Sequence, residues 1–179
     1  MANGANLAYP KKVFEDVEGY RGVNALASGD DFFLVQKITI RYPNKIIYVK
    51  SRKAIVQTAA LANWKEFFQQ RIRWASKSTQ YKEVRITAVL TLVWLYNLFF
   101  LLIFFGGLMN PQFMLVFLAA WILKTGVEWP FMKSVAQFFQ IPITKRSFFN
   151  FQPLHILYTV VTGVLGLFGP YQWKGRKVK

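Results

Sequence analysis

Two neighbouring acids, Asp30 and Asp31, follow Ser28 and Gly29 and precede the apolar stretch Phe32–Leu34. A carboxylate at the amino terminus of a rigid helix, beside a second acid, can act as a general base toward a hydroxyl group. A simpler interpretation also exists, because Ser28 and Asp31 have the spacing of a capping box that starts a helix. The two interpretations are compatible, and the motif taken alone favours the helix start.

A second motif, Gln70–Trp74 with the sequence QRIRW, lies in an amphipathic basic segment that is predicted to be a helix over 64–77. Gln70, Arg73 and Trp74 are three and four residues apart, so they share one face of that helix. Such a face could present an amide, a phosphate-binding guanidinium and a flat aromatic ring to one ligand. A basic helix with a tryptophan beside a membrane span is the simpler alternative.

Together, in this order and about 40 residues apart, the motifs resemble those of family-2 glycosyltransferases of the cellulose, hyaluronan and chitin synthase type. These enzymes carry an acidic E/D-D motif, then Q-x-x-R-W on an interfacial helix, and then membrane helices. Gly29–Asp31 stands where such enzymes often have Thr-Glu-Asp, and Gln70–Trp74 matches every defining position of the second motif. The opening segment Asn3–Tyr9 is similar to the segment that lines the acceptor side. The chain therefore resembles the membrane-embedded, carboxy-terminal half of such an enzyme.

The resemblance implies a role for each residue. Asp31 would deprotonate the acceptor hydroxyl, and Asp30 would support it. Arg73 would meet the diphosphate leaving group with Gln70 nearby, and Trp74 would lie under the acceptor sugar. The implied reaction is a direct displacement at the anomeric carbon of a nucleotide sugar, with inversion, onto a sugar or lipid acceptor. Positive charge and a divalent metal, Mg or Mn, are the usual means of stabilising the departing diphosphate.

The nucleotide-binding half of such enzymes has no counterpart in this sequence. No D-x-D pair precedes Asp30, and about 28 residues before the base are too few for a doubly wound nucleotide-binding sheet. We therefore expect a fragment that is inactive alone. Its donor and its divalent metal would bind to residues that this chain lacks, for instance on a separate nucleotide-binding chain.

The composition indicates a membrane protein with basic surfaces. Apolar residues make up 54% of the 179 residues, and the net charge is +15. A nucleic-acid-binding module would explain the charge but not the apolar runs, whereas a membrane protein with basic cytoplasmic segments explains both. We therefore predict a lipid bilayer and no nucleic acid as partner. The predicted location is the plasma (inner) membrane, as a multi-pass protein with its catalytic part in the cytoplasm.

Uncharged stretches predict two or three membrane spans. Ile86–Leu123 is uncharged over 38 residues, nearly twice the ~20 residues that cross a bilayer. Gly106–Pro111 in its middle has turn chemistry. We therefore predict one span over 86–105 and a weaker second span from about residue 112, which polar residues interrupt.

The remainder of the membrane region is less regular. Lys124 and Glu128 have the spacing of a helical ion pair, which we expect near a membrane boundary. The basic and aromatic segment 133–146 suits an interfacial helix or loop. A third span is predicted from about 154 to 171. The side of the carboxy terminus stays open, because three full spans place the basic tail outside, against the positive-inside tendency.

The amino-terminal part is predicted as soluble α/β structure, with helices over 10–17 and 31–42 and strands over 5–9, 45–50 and 54–58. The predicted fold class is an α/β fragment, the end of a glycosyltransferase-A-type domain, followed by interfacial and transmembrane helices. The predicted domains are a partial catalytic domain over 1–62, an amphipathic interfacial helix over 63–85, a membrane region over 86–173 and a basic tail over 174–179.

A non-enzymatic membrane anchor or regulatory subunit is the alternative function. Under that interpretation Asp31 and Arg73 need not serve one ligand. The two hypotheses therefore differ in what they require of these two side chains.

Overall fold

A computed structural model of the chain describes residues 4–22, 29–78, 83–173 and 176–178. Its α-helices are α1 (Lys11–Asp16), α2 (Asp30–Arg41), α3 (Trp64–Ala75), α4 (Val84–Met109), α5 (Pro111–Phe139) and α6 (Lys145–Phe168). Short 3-10 helices cover Gly4–Asn6 and Arg52–Ala54, and strands β1 (Tyr171–Trp173) and β2 (Arg176–Val178) pair as an antiparallel hairpin. The chain divides into two compact units, Met1–Ala60 and Leu61–Lys179.

The first unit has a small apolar core between α1 and α2. Leu34 and Ile38 of α2 are buried together with Val17, just after the end of α1. Leu34 and Ile38 are four residues apart and therefore lie on one helical face. Asp30 and Asp31 occupy the first turn of α2, where the helix dipole favours negative charge. The helix predicted over 31–42 is confirmed to within one residue at each end.

The predicted α/β fold class is wrong. Segments 45–50 and 55–58 form no regular secondary structure, and segment 5–9 begins in a 3-10 helix instead of a strand. The only strands among the described residues are β1 and β2, so no glycosyltransferase-A-type sheet occurs there. A β-branched run becomes a strand only when another strand satisfies its backbone and a core covers one face. Ile47 and Tyr48 have neither, and they are 85% and 79% exposed.

Three helices of the second unit are long and apolar enough to cross a membrane. They are α4, α5 and α6, with 26, 29 and 24 residues against the ~20 that a bilayer requires. The segment 133–146 does not form a separate element, because α5 continues to Phe139 and α6 already begins at Lys145. Thr144 and Ser147 form a capping box that starts α6 nine residues earlier than the apolar pattern predicted.

The predicted turn between the first two spans is confirmed. α4 ends at Met109, and Asn110 caps α5 by accepting a hydrogen bond from the Gln112 N–H at 2.9 Å. Gly107 lets the two helices approach closely, since a methyl group there would come within 2.9 Å of the Met114 backbone. Further along the hairpin, apolar side chains from all three helices form one buried cluster: Phe100, Ile103, Phe117 and Ile156.

The helix that carries QRIRW, α3, packs along α6. Phe67 of α3 contacts Tyr158 of α6 edge to face, with ring centroids 5.3 Å apart. Eight residues later on both helices, Gly166 lies against Ala75, so the two helices run in the same direction. The third predicted span therefore positions the second sequence motif.

Candidate functional site

The carboxylate of Asp31 is held by two backbone N–H groups. Oδ2 accepts a hydrogen bond from the Gly4 N–H at 2.7 Å, and Oδ1 accepts one from the Phe32 N–H at 2.8 Å. Each oxygen keeps a further lone pair that can accept a proton or a hydrogen bond. The structure thus brings the opening segment, which the sequence associated with the acceptor side, against the predicted base. Asn3 of that segment lies outside the described residues.

The start of α2 differs from a capping box. Gly29 holds the N-cap position with φ 96°, in the left-handed region that glycine adopts without strain, and the cap has no side-chain hydrogen bond. Ser28, the predicted cap, lies outside the described residues. Asp30 is exposed on the first turn, next to the partly buried Asp31. The two acids are therefore presented differently, with Asp31 fixed and Asp30 open to solvent.

A pair of tyrosines lies near these acids. The hydroxyl groups of Tyr9 and Tyr20 are 3.5 Å apart. The hydrogen bond with Tyr9 raises the pKa of Tyr20 to about 12, and desolvation and the negative charges of Asp30 and Asp31 add to the rise. Tyr20 is thus a neutral phenol at physiological pH, able to donate a hydrogen bond. Sequence reasoning missed it, because no motif links Tyr20 to Asp31.

The second motif is carried by a well-defined helix. Asn63 caps α3, since its Oδ1 accepts a hydrogen bond from the Glu66 N–H at 2.9 Å. Gln70, Arg73 and Trp74 occupy one face of α3, as their spacing predicted. These three lie in the second unit, whereas Asp30 and Asp31 lie in the first.

The ring of Trp74 already has a partner. The guanidinium of Arg71 stacks over it, with Cζ 4.6 Å from the ring centroid. The same guanidinium lies 4.9 Å from the Phe67 ring and 5.9 Å from the Tyr158 ring. Trp74 is 41% exposed, so part of its surface remains available. The sequence did not predict this cation–π cluster, because Tyr158 is distant along the chain and position 71 is variable in Q-x-x-R-W.

Comparison with known proteins gives a family for the chain. The family model described as glycosyl transferase family 21 matches residues 1–179. The chain belongs to glycosyltransferase family 21. The match supports the predicted glycosyltransferase but does not extend to the family-2 identity that the motifs suggested. No curated protein matches this sequence. No solved structure matches it either.

The family 21 chain has a polar network between two of its apolar helices. Lys124 Nζ of α5 donates to both carboxylate oxygens of Glu128, at 2.6 and 2.7 Å, and to Gln152 Oε1 of α6, at 2.9 Å. Gln152 Nε2 donates in turn to Glu128 Oε2 at 2.8 Å. The predicted Lys124–Glu128 pair is confirmed, but it lies in the middle of α5. Its third member, Gln152, was missed because the contact joins two helices.

The described residues of the family 21 chain offer no metal centre. No three His, Cys, Asp or Glu side chains in residues 4–22, 29–78, 83–173 and 176–178 lie close enough to share an ion. They therefore do not fit the Mg or Mn ion that the motif resemblance implies for the complete enzyme. The metal stays a prediction for the complete enzyme, with its ligands expected on residues that this chain lacks.

Proposed function

We propose that this family 21 chain contributes the acceptor-activating and leaving-group-binding residues of a membrane glycosyltransferase. The reaction is the transfer of a sugar from a nucleotide sugar to a hydroxyl group of a sugar or lipid acceptor, with inversion at the anomeric carbon. The observation that carries the proposal is the match of the whole chain to a glycosyltransferase family. The three helices of membrane-spanning length support a membrane enzyme.

Asp31 is the proposed base. Its carboxylate accepts the proton of the acceptor hydroxyl as that oxygen bonds to the anomeric carbon, and the bond from this carbon to the nucleoside diphosphate breaks. Attack from the side opposite the leaving group inverts the configuration. The hydrogen bonds from the Gly4 and Phe32 N–H groups hold the carboxylate in one orientation, which supports this role because a general base must be positioned before it can be efficient.

The departing diphosphate needs positive charge. Arg73 is the proposed partner of the diphosphate, with Gln70 nearby, because both stand at defining positions of Q-x-x-R-W on α3. A guanidinium can bind two phosphate oxygens at once, and such charge stabilises the leaving group as the bond breaks. Asp30, exposed beside Asp31, is proposed to help position the acceptor.

Donor binding is proposed to require residues beyond this chain. The sequence contains no D-x-D pair. We therefore infer that a second polypeptide or segment holds the nucleotide and the divalent metal, and that the purified chain alone does not turn over nucleotide sugar. Transfer by the purified chain, with no other polypeptide present, would contradict this inference.

The proposed location is the plasma membrane with Asp31 and Arg73 on the cytoplasmic side, where basic segments are favoured.

The proposal is tested by sugar transfer in native membranes. Membranes of source cells that lack the chain, and of cells in which it is restored, are incubated with a panel of radiolabelled nucleotide sugars. Restoration is expected to produce labelled product from one donor, and the anomeric configuration of that product, read by NMR, is expected to be opposite to that of the donor. Restored transfer that persists when Asp31 and Arg73 are both replaced would instead favour the membrane anchor or regulatory subunit.

A further inference from the structure

Arg71 occupies a variable position of the Q-x-x-R-W motif, so the motif assigns it no role. In the structure its guanidinium lies close to three aromatic rings from two helices. Phe67 and Trp74 belong to the same helix, α3, and Tyr158 comes from α6, at centroid distances of 4.9, 4.6 and 5.9 Å. Such stacking fixes the plane of a guanidinium while leaving its N–H donors directed outward along the edge.

One N–H donor of this guanidinium has no acceptor among the described residues. Arg71 Nε is buried and has no hydrogen-bond partner in the part of the chain that the structure describes. Arg71 also forms no ion pair among the described residues of the second unit. A buried donor without an acceptor is destabilising, and more so when it carries charge. Three rings thus surround this guanidinium, while its Nε–H donor has no acceptor.

The buried cation Lys124 of the same unit differs from Arg71 in its partners. All three N–H groups of Lys124 have acceptors on Glu128 and Gln152. Two acidic side chains of this unit have other partners, since Glu66 accepts from Asn63 and Glu128 is paired with Lys124. The described residues therefore satisfy the ammonium group of Lys124 fully and leave the Arg71 Nε–H without an acceptor.

We propose that Arg71 binds phosphate oxygens of a ligand, with its guanidinium held in position by Trp74, Phe67 and Tyr158. The shared ligand chemistry is a phosphate group, which could belong to the diphosphate of the sugar donor or to a phospholipid headgroup. Assignment of the phosphate to the sugar donor rests on the proposed function. Arg71 stacks on Trp74, and the motif resemblance places Trp74 in the substrate site. A planar guanidinium suits this task, since its fork matches two phosphate oxygens.

The proposal also changes the role of Trp74. The ring face covered by Arg71 does not stack on a sugar. Trp74 acts instead as a positioning residue, because its ring determines where the guanidinium edge points. Loss of the ring should then weaken phosphate binding even though tryptophan itself donates nothing to the phosphate.

The test is isothermal titration calorimetry on the full chain in two settings. In a neutral maltoside detergent the probe is inorganic diphosphate. In the second setting the chain is titrated with nanodiscs of phosphatidylcholine, with or without phosphatidylglycerol. Arg71→Gln is compared with Arg146→Gln, which removes the same charge from an exposed position at the start of α6. This control measures the nonspecific attraction of anions to a chain of net charge +15.

Arg71→Gln is expected to weaken diphosphate binding at least tenfold, and Arg146→Gln to remain within twofold of wild type. The same contrast seen only with phosphatidylglycerol nanodiscs would support the phosphate site and assign it to a lipid headgroup. Equal affinities of the two variants in both settings would overturn the proposal. If Arg71→Gln does not fold, Arg71→Lys decides in its place, with an expected loss of at least threefold because lysine keeps the charge but has no planar fork.

Trp74→Leu and Trp74→Phe test the positioning role. Trp74→Leu is expected to weaken binding as Arg71→Gln does, with no further loss in the double variant, whereas Trp74→Phe retains a ring and most of the affinity. Wild-type affinity in Trp74→Leu would contradict the role. Since the measurement is binding and not sugar transfer, its failure leaves the proposed role of Asp31 intact, and failure of sugar transfer leaves this site intact.

Discussion

Gly166 of α6 lies so close to Ala75 of α3 that a methyl group on Gly166 would come within 2.9 Å of the Ala75 carbonyl carbon. The backbone of α3 could make room for such a methyl group only if one of the two helices moved. Glycine at this position therefore permits the helix that carries Gln70–Trp74 to pack on the third apolar helix, in the way that small residues permit close helix packing in membranes.

Replacing Gly166 by alanine is expected to displace α3 and lower stability by about 1–3 kcal/mol, the usual cost of overpacking. Thermal unfolding in detergent measures the effect. Gly126→Ala is the matched control, because nothing lies within 4 Å of a methyl group there, and it should unfold at the wild-type temperature or slightly above it. Equal behaviour of both variants would contradict the close packing.

The Lys124–Glu128–Gln152 network is expected to stabilise the contact between α5 and α6. The Lys124 side chain is only 1% exposed, so Lys124→Met leaves the Glu128 carboxylate without its cation. We expect a loss of about 1–3 kcal/mol, below the cost for a fully buried pair because the Glu128 side chain is 39% exposed. Unfolding of the chain in mixed micelles by increasing SDS measures this loss.

A second substitution checks the cause. Glu128→Gln in the Lys124→Met background removes the unpaired charge and should restore much of the lost stability. Strictly additive losses from the two substitutions would show that no coupling exists between these side chains.

Tyr20 is expected to titrate near pH 12. Because this pKa lies above the ordinary 10.0, folding favours the protonated phenol. The stability that this group contributes is complete below pH 10 and is lost as the pH rises through 12. Tyr9→Phe removes the main cause and should move the Tyr20 pKa back toward 10. The measurement is the pH dependence of the tyrosine Cζ resonance in ¹³C NMR.

Tyr42→Phe provides the control for this titration. It makes the same change in the same unit, but the Tyr42 hydroxyl donates to Asp16 and not to Tyr20. The Tyr20 midpoint should therefore stay near 12 in this variant. A Tyr20 pKa that is equally low in wild type and in Tyr9→Phe would refute the tyrosine pair.

The elements that could be predicted from the sequence are those with a local signal. The helices α2 and α3 and the turn between α4 and α5 follow from side-chain spacing, from Gly and Pro, and from long uncharged stretches. The predicted strands were wrong because a strand needs a non-local partner. Ile47 and Tyr48 have strand-forming side chains but no partner strand among the described residues. The pairing of strands depends on residues that are distant along the chain, and local composition does not reveal these contacts.

In the candidate site too, the features with a local sequence signal were predicted and the long-range contacts were not. Sequence motifs identified Asp31 and Gln70–Trp74 because their spacings are short. The Gly4 N–H that holds Asp31, the ring of Tyr158 beside Arg71 and the amide of Gln152 beside Lys124 were missed, since each contact joins residues at least 27 positions apart. The contacts that orient functional side chains are therefore the part that required coordinates.

The central claim is that Asp31 is the base for sugar transfer. Its most direct test is the single-turnover rate in native membranes at saturating donor and acceptor, for wild type and Asp31→Asn. Glu15→Gln, an exposed acid of the same unit, is the control. We predict a rate at least 10²-fold lower in Asp31→Asn, as loss of a general base requires, with Glu15→Gln near wild type. A rate in Asp31→Asn within threefold of wild type would contradict it.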